Sequence, residues 1–99
     1  MDFQIIWTDP AIEGLGDLVH AVARDKPAAA QRLGLALVDR MEITRIFPRS
    51  GPVYRRVNDR EIRCLTHGNY RLYYEIGTQP DRVVVVAVRH SARAQPDLS

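Results

Sequence analysis

The 99-residue sequence is poor in cysteine, in lysine and in long apolar runs, and these shortages exclude several classes of protein. A single cysteine, Cys64, cannot form an internal disulfide bond, which favours a reducing compartment. No apolar run approaches the roughly 20 residues of a membrane-spanning helix. Asp2 and Gln4 interrupt the short apolar N-terminus, so we expect no signal peptide. We therefore predict a cytoplasmic protein with no membrane partner.

Motifs that bind metals or phosphate groups are also missing. His20, His67 and His90 are far apart in the sequence, and Cys64 has no nearby partner with the spacing of a metal site. Neither common kind of glycine-rich phosphate loop is present. We therefore expect no metal and no cofactor. Cys64 is also a poor candidate nucleophile, because it is predicted on a buried strand face.

Charge is distributed unevenly along the chain. Residues 1–47 hold five basic and seven acidic side chains, whereas residues 48–99 hold nine basic and five acidic ones. Of the 14 basic residues only Lys26 is a lysine. Arginine suits bidentate contacts with carboxylates and phosphates, which indicates an acidic partner. A GC-rich genome would favour arginine equally well, so composition alone leaves both explanations open.

The central stretch, residues 61–76, predicts a β-hairpin. Two runs rich in apolar, β-branched and aromatic residues flank the His-Gly-Asn sequence at 67–69, where glycine and asparagine tolerate positive φ. We expect a three-residue loop, which places Cys64 opposite Leu72 and makes one face of the hairpin apolar.

The expected register assigns every side chain of the hairpin to a face. The apolar face carries Ile62, Cys64, Leu72, Tyr74 and Ile76. The other face carries Arg63, Leu65, Arg71 and Tyr73. The hairpin is thus predicted to bury one side and to expose two arginines and a tyrosine on the other.

The rest of the chain supplies one strand and two helices before the hairpin. Residues 3–7 are a short β-prone run, and Asp9 or Thr8 can cap a helix with Pro10 in its first turn. That helix is expected to end near Asp25. A second helix is expected from Pro27 to about Phe47, forming a helical hairpin with the first.

The remaining segments complete a single domain over residues 1–99. Residues 48–59 are expected to be a connecting loop with extended parts around Val53-Tyr54. Val83–Val88 is apolar on both faces, so we place it inside the sheet rather than at its edge. The predicted order is β-α-α-β-β-β. This is an α+β fold with the helical hairpin packed on one face of a mainly antiparallel four-stranded sheet.

The open sheet face and the end of the last strand hold the candidate functional residues. These are Arg63, Arg71, Tyr73, Arg89, His90 and Arg93. Arginines can hold a phosphodiester and stabilise transition-state charge, while a histidine can move a proton near neutral pH. The alternative for the arginines is a solvated sheet face, and the alternative for His90 is a hydrogen bond to backbone. Spacing alone does not separate these alternatives.

Five motifs are distributed along the chain: WTDPAIEGL (7–15), KPAAAQRL (26–33), IFPRSG (46–51), GNYRLYYEI (68–76) and VRHSAR (88–93). Together they resemble one family, the RelE/ParE superfamily of toxins from bacterial type II toxin–antitoxin modules, also called plasmid-stabilisation proteins. The resemblance covers nearly the whole chain, with the motifs in the right order.

The resemblance implies a small cytoplasmic toxin that inhibits growth and is neutralised by a cognate antitoxin. The antitoxin's disordered tail would wrap the toxin and fold on it, and the complex would reach operator DNA through the antitoxin. An arginine-rich half suits an acidic tail that folds on binding.

The superfamily contains two modes of action. RelE-like members cleave mRNA on the ribosome, and ParE-like members lack a complete catalytic set and poison DNA gyrase. Arg71 matches the family's sheet-face arginine, and Arg63 lies near a second basic position. The lysine-rich trait of the nucleases is absent, as is their long basic C-terminal segment with a tyrosine. The resemblance therefore favours a ParE-like, non-enzymatic toxin.

Two alternatives to the gyrase hypothesis remain. The first is a ribosome-dependent endoribonuclease, in which Arg63, Arg71 and Arg93 hold phosphate and His90 is the acid/base. In the gyrase hypothesis Arg63, Arg71, Tyr73 and Arg89 instead form a binding face. The second alternative is an inactive toxin that only binds its antitoxin.

Overall fold

The computed structural model describes residues 2–92. The chain forms a strand, two α-helices, a short 3₁₀ helix and four further strands. In order these are β1 (Gln4–Trp7), α1 (Asp9–Ala23), α2 (Pro27–Arg40), the 3₁₀ helix (Met41–Arg45), β2 (Val53–Val57), β3 (Arg60–His67), β4 (Tyr70–Gly77) and β5 (Arg82–His90).

The strands form one sheet in the order β1-β5-β4-β3-β2. β1 runs parallel to β5, and the other pairs are antiparallel. The α+β fold and the helical hairpin on one face are as predicted, but the sheet has five strands, not four. The additional strand is β2, which was expected to be part of a loop. Its Tyr-Arg-Arg centre lacks the alternation of a half-buried strand, and at the edge of the sheet those polar side chains can reach solvent.

The first helix begins as its sequence predicts. Thr8 is the N-cap, and its hydroxyl accepts a hydrogen bond from the Ala11 N–H at 3.3 Å. The same hydroxyl donates to the Val85 carbonyl at 2.9 Å, which ties the start of α1 to β5. Further along α1, Gly14 packs against β5 so closely that a Cβ there would lie 2.8 Å from the Val88 carbonyl oxygen. A residue without a side chain is needed at this crossing.

The second helix is shorter than predicted. α2 ends at Arg40, and Met41–Arg45 continues as a 3₁₀ helix instead of an α-helix reaching Phe47. The buried Thr44 hydroxyl donates to the Met41 carbonyl at 2.6 Å, three residues earlier. This local bond gives the backbone a partner other than an α-helical one, which favours the tighter turn.

The predicted register of the β3–β4 hairpin is wrong by one residue. Cys64 pairs with Tyr73, and Leu65 pairs with Leu72, so the loop contains only two residues. Gly68 opens that loop with a φ of +58°. A positive φ at the first loop position suits a two-residue hairpin turn and is readily adopted by glycine.

The corrected register changes which side chains share a face. The main core lies between the helices and the sheet and includes Leu37, Met41, Leu65, Leu72, Tyr74, Val83, Val85 and Val88. A second cluster lies on the sheet face turned away from the helices, which we call the open face. It contains Ile62, Cys64, Tyr73 and Ala87, flanked by Tyr54, Val57 and Val86. Because both faces of the hairpin are apolar, hydrophobic alternation did not specify the register.

The position of β5 agrees with the prediction that its apolar residues lie inside the sheet. It lies between β1 and β4, and Val83 and Val85 are fully buried. Within residues 2–92, no helix is long and apolar enough to cross a membrane.

Candidate functional site

Arg71 and Tyr73 lie together on the open face. A hydrogen bond with the Tyr73 hydroxyl raises the pKa of Arg71, which keeps the guanidinium charged. Burial raises the pKa of Tyr73, although the Arg71 hydrogen bond acts in the opposite direction. Tyr73 is therefore neutral at physiological pH. The prediction that it is exposed is wrong, because the side chain is only 2% exposed and lies beneath Arg71 in the second cluster.

Arg89 is the cross-strand partner of Arg71, so the two side chains leave the sheet on the same face. Like charges directly opposite each other are unfavourable in a sheet. The Arg89 guanidinium reaches the edge of β5, where its Nη1 donates to the Val88 carbonyl at 3.1 Å. There it lies beside α1, because a Cβ on Gly14 would be 3.1 Å from the same Nη1. Arg71 therefore presents its charge on the open face, and Arg89 presents its charge at the neighbouring edge of β5.

Two residues of β2 that the sequence did not single out extend this face. The Tyr54 ring packs edge-on against Tyr73, with centroids 4.9 Å apart. The Arg55 guanidinium lies 5.5 Å from the centre of the Tyr54 ring. Neither residue was identified as a candidate, because residues 48–59 were predicted to be a loop. Side chains in a loop cannot be assigned to a face of the sheet. The combined surface of Tyr54, Arg55, Arg71, Tyr73 and Arg89 is called the arginine–tyrosine face below.

Arg63 is not part of this face, and the prediction that it shares a face with Arg71 is wrong. It pairs with Tyr74 of the main core. Its Nη1 donates to the Gly51 carbonyl at 2.8 Å, and its Nη2 contacts Glu61 at 2.9 Å. The side chain is only 13% exposed. Arg63 therefore ties the segment before β2 to β3.

His90 also lies on the helix side of the sheet. It pairs with Tyr70, and the two rings meet edge-on with centroids 5.2 Å apart. The His90 Nδ1 accepts a hydrogen bond from the Ala92 N–H at 3.0 Å, so the neutral ring carries its proton on Nε2. With Leu18 and Val22 it lines a cavity of about 330 Å³ beside the end of α1. A hydrogen bond between His90 and the backbone is the alternative to a proton-transfer role that the sequence left open for this residue.

The other candidates add no reactive centre to the arginine–tyrosine face. Arg93 lies outside the described residues. His67 pairs with Tyr70 on the helix side, and His20 lies on α1. Cys64 is buried as predicted, and burial raises the pKa of its thiol. Over residues 2–92, no three potential metal ligands cluster. The described part of this face can bind an acidic partner, but it brings no histidine to Arg71.

Three solved structures with the same fold come from toxin–antitoxin systems. A chain of the chromosomal ParDE system from P. aeruginosa matches with a TM-score of 0.73 at 12% identity, covering 89% of this chain and 95% of that one. A chain of the RelBE2 complex from Mycobacterium tuberculosis matches with a TM-score of 0.61 at 22% identity, covering 91% and 99%. A chain of the RelE–RelB complex from Pyrococcus horikoshii matches with a TM-score of 0.58 at 18% identity, covering 95% and 100%.

These likenesses show that the fold is shared, and the sequence itself shows the family. Residues 5–95 match the family model described as the ParE toxin of the type II toxin–antitoxin system parDE. Because the match spans most of its length, the chain belongs to the ParE toxin family. No curated protein matches the sequence significantly.

Proposed function

We propose that this chain inhibits bacterial growth by poisoning DNA gyrase in the cytoplasm, without catalysing a reaction, and that a cognate antitoxin neutralises it. Membership of the ParE toxin family supports the general role. The fold is shared with chains solved in toxin–antitoxin complexes, which supports an antitoxin as partner. Operator DNA would be reached only through that antitoxin.

The dispersal of the candidate catalytic residues is the observation that favours gyrase over mRNA as the target. General acid–base catalysis needs the proton-transferring group within hydrogen-bonding reach of the reacting atoms. Arg71 lies on the open face, whereas His90 lies on the helix side and is bonded to the Ala92 N–H. Arg63 is bound to Gly51 and Glu61. A binding protein does not require these residues to converge, but a nuclease does.

The arginine–tyrosine face supports the binding role. Its accessible part combines the Arg55 and Arg71 side chains with the half-buried ring of Tyr54, and tyrosine and arginine are among the residue types that often contribute strongly to protein interfaces. Arg71 and Arg89 are neighbours across two strands, so acidic groups of a partner can contact them. In this proposal Arg71 and Arg89 contact the partner, the buried Tyr73 supports Arg71, and Arg63 supports the fold.

The alternative is a ribosome-dependent endoribonuclease that uses Arg63, Arg71, His90 and Arg93. The pairing of Arg71 with Arg89 across two strands favours it, because two adjacent arginines also suit a phosphodiester. In that case His90→Ala and Arg71→Ala should each lower mRNA cleavage on the order of 100-fold. In the gyrase proposal, His90→Ala leaves toxicity unchanged and Arg71→Ala weakens target binding.

The two proposals are separated by inducing the chain without antitoxin in bacteria. We expect early DNA breaks trapped on gyrase, and we expect His90→Ala to produce them at the wild-type level when the protein amounts are equal. Growth arrest with cleaved mRNA and no breaks would contradict the gyrase proposal. An unaffected culture containing folded protein would indicate an inactive toxin that only binds its antitoxin.

A further inference from the structure

The segment between the 3₁₀ helix and β2 presents two large apolar side chains to solvent. Ile46 is 65% exposed and Phe47 is 62% exposed. They are adjacent in sequence, whereas isolated exposed apolar residues are ordinary. Together with Pro48, Arg49 and Ser50 they line a surface hollow of about 510 Å³. Residues 46–50 are called the apolar corner below.

Hydrogen bonds from the core hold the apolar corner in place. The Tyr74 hydroxyl donates to the Pro48 carbonyl at 2.7 Å and accepts from the Gly51 N–H at 2.9 Å. The Arg63 Nη1 donates to the Gly51 carbonyl at 2.8 Å, and the Phe47 N–H donates to the Ile43 carbonyl at 2.9 Å. A backbone that is fixed before binding loses little entropy in a complex, so an exposed Phe47 on this segment is suited to act as an anchor.

The charge around the apolar corner identifies the chemistry of a matching partner. Residues 45–63 contain six arginines. Four of them are ion-paired: Arg45 with Glu42, Arg56 and Arg63 with Glu61, and Arg60 with Glu75. Arg49 belongs to the apolar corner and is exposed. An apolar pair beside an exposed arginine complements a segment that carries a large apolar side chain next to a carboxylate.

We infer that the apolar corner is the docking site for an acidic protein segment whose apolar side chain packs against Ile46 and Phe47 and whose carboxylate contacts Arg49. This inference rests on the proposed function, in which that segment belongs to the antitoxin. The contact lies outside the arginine–tyrosine face, so the same antitoxin can hold the toxin at two places. Binding at two linked sites strengthens a complex without any new contact at either one.

The test measures how tightly full-length variants bind the antitoxin encoded by the adjacent gene. Phe47→Ser should weaken binding by about 30-fold or more, the size of a strong interface contact. Leu35→Ser is the matched control, because Leu35 is 67% exposed on α2 but outside the apolar corner. It should change binding by less than about threefold, since surface substitutions elsewhere have small effects. Both variants should unfold at the wild-type temperature.

A second variant tests the charge complementarity. Arg49→Glu should weaken binding about tenfold at low salt, and the difference should shrink as salt screens the exposed charge. Wild-type affinity for Phe47→Ser, or an equal loss for Leu35→Ser, would overturn the inference. If the wild-type chain itself fails to bind the adjacent gene product, the proposed antitoxin partnership falls and the inference falls with it.

Discussion

Tyr74 is expected to contribute more to stability than its ring alone provides. Its hydroxyl is buried and serves both the Pro48 carbonyl and the Gly51 N–H. Tyr74→Phe keeps the ring but leaves these two groups without that partner. A buried polar group that loses its partner costs about 1–3 kcal/mol, so we expect a loss of about 2–4 kcal/mol. Burial raises the pKa of Tyr74, so the hydroxyl remains a donor at neutral pH.

Urea unfolding of the purified chain measures this loss directly. In thermal unfolding, the melting temperature of Tyr74→Phe should be lower than that of the wild type by roughly 10 °C or more for a domain of this size. Tyr70→Phe is the control, because phenylalanine keeps the ring that packs edge-on against His90. That variant should change stability by less than about 0.5 kcal/mol. A Tyr74→Phe protein as stable as the wild type would refute the account of how the apolar corner is held.

Three further outcomes follow from local geometry. Gly14→Ala should destabilise the fold by about 1–3 kcal/mol, because the new Cβ would lie 2.8 Å from the Val88 carbonyl oxygen. At Gly16 a Cβ would have nothing within 4 Å, so Gly16→Ala should stabilise α1 by about 1 kcal/mol. Thermal unfolding measures both changes. The Cys64 thiol should react with a disulfide reagent at pH 8 far more slowly in the folded than in the urea-unfolded chain, since burial raises its pKa. Because the Cys64 thiol has a lower pKa in the unfolded chain than in the folded one, the free energy of unfolding should fall as pH rises above about 8.5. Cys64→Ala should reduce that dependence on pH.

The order of elements was predictable because each has a strong local signal. Thr8 and Pro10 mark the start of α1, and Gly68 marks the hairpin. The apolar run at 83–88 indicated an interior strand, and β5 lies between two others. These features depend on residues close together in the sequence, where propensity and periodicity are informative.

The register and β2 were not predictable by the same means. Alternation fixes a register only when one face is polar, but Cys64 and Tyr73 form an apolar pair opposite the main core. Turn geometry therefore decided between two apolar arrangements. β2 is an edge strand whose partner is β3, and its arginines can remain solvated, so composition alone suggested a loop.

The candidate site was affected by that register error more than the fold was. A shift of one residue moves a side chain to the opposite face, and this separates Arg63 from Arg71. Arg71 and Tyr73 lie on the open face as expected, but Tyr73 is buried there instead of exposed. Tyr54 could be recognised only after β2 was placed, because its contact with Tyr73 joins residues distant in sequence.

A cleavage assay with purified DNA gyrase tests the central claim most directly. Gyrase, plasmid and ATP are incubated with increasing amounts of the full-length chain, and trapped complexes are opened with detergent and protease. The account predicts linear plasmid that increases with toxin, disappears when antitoxin is added first, and persists at the wild-type level with His90→Ala. Absence of linear DNA at toxin concentrations that block protein synthesis on ribosomes would contradict it.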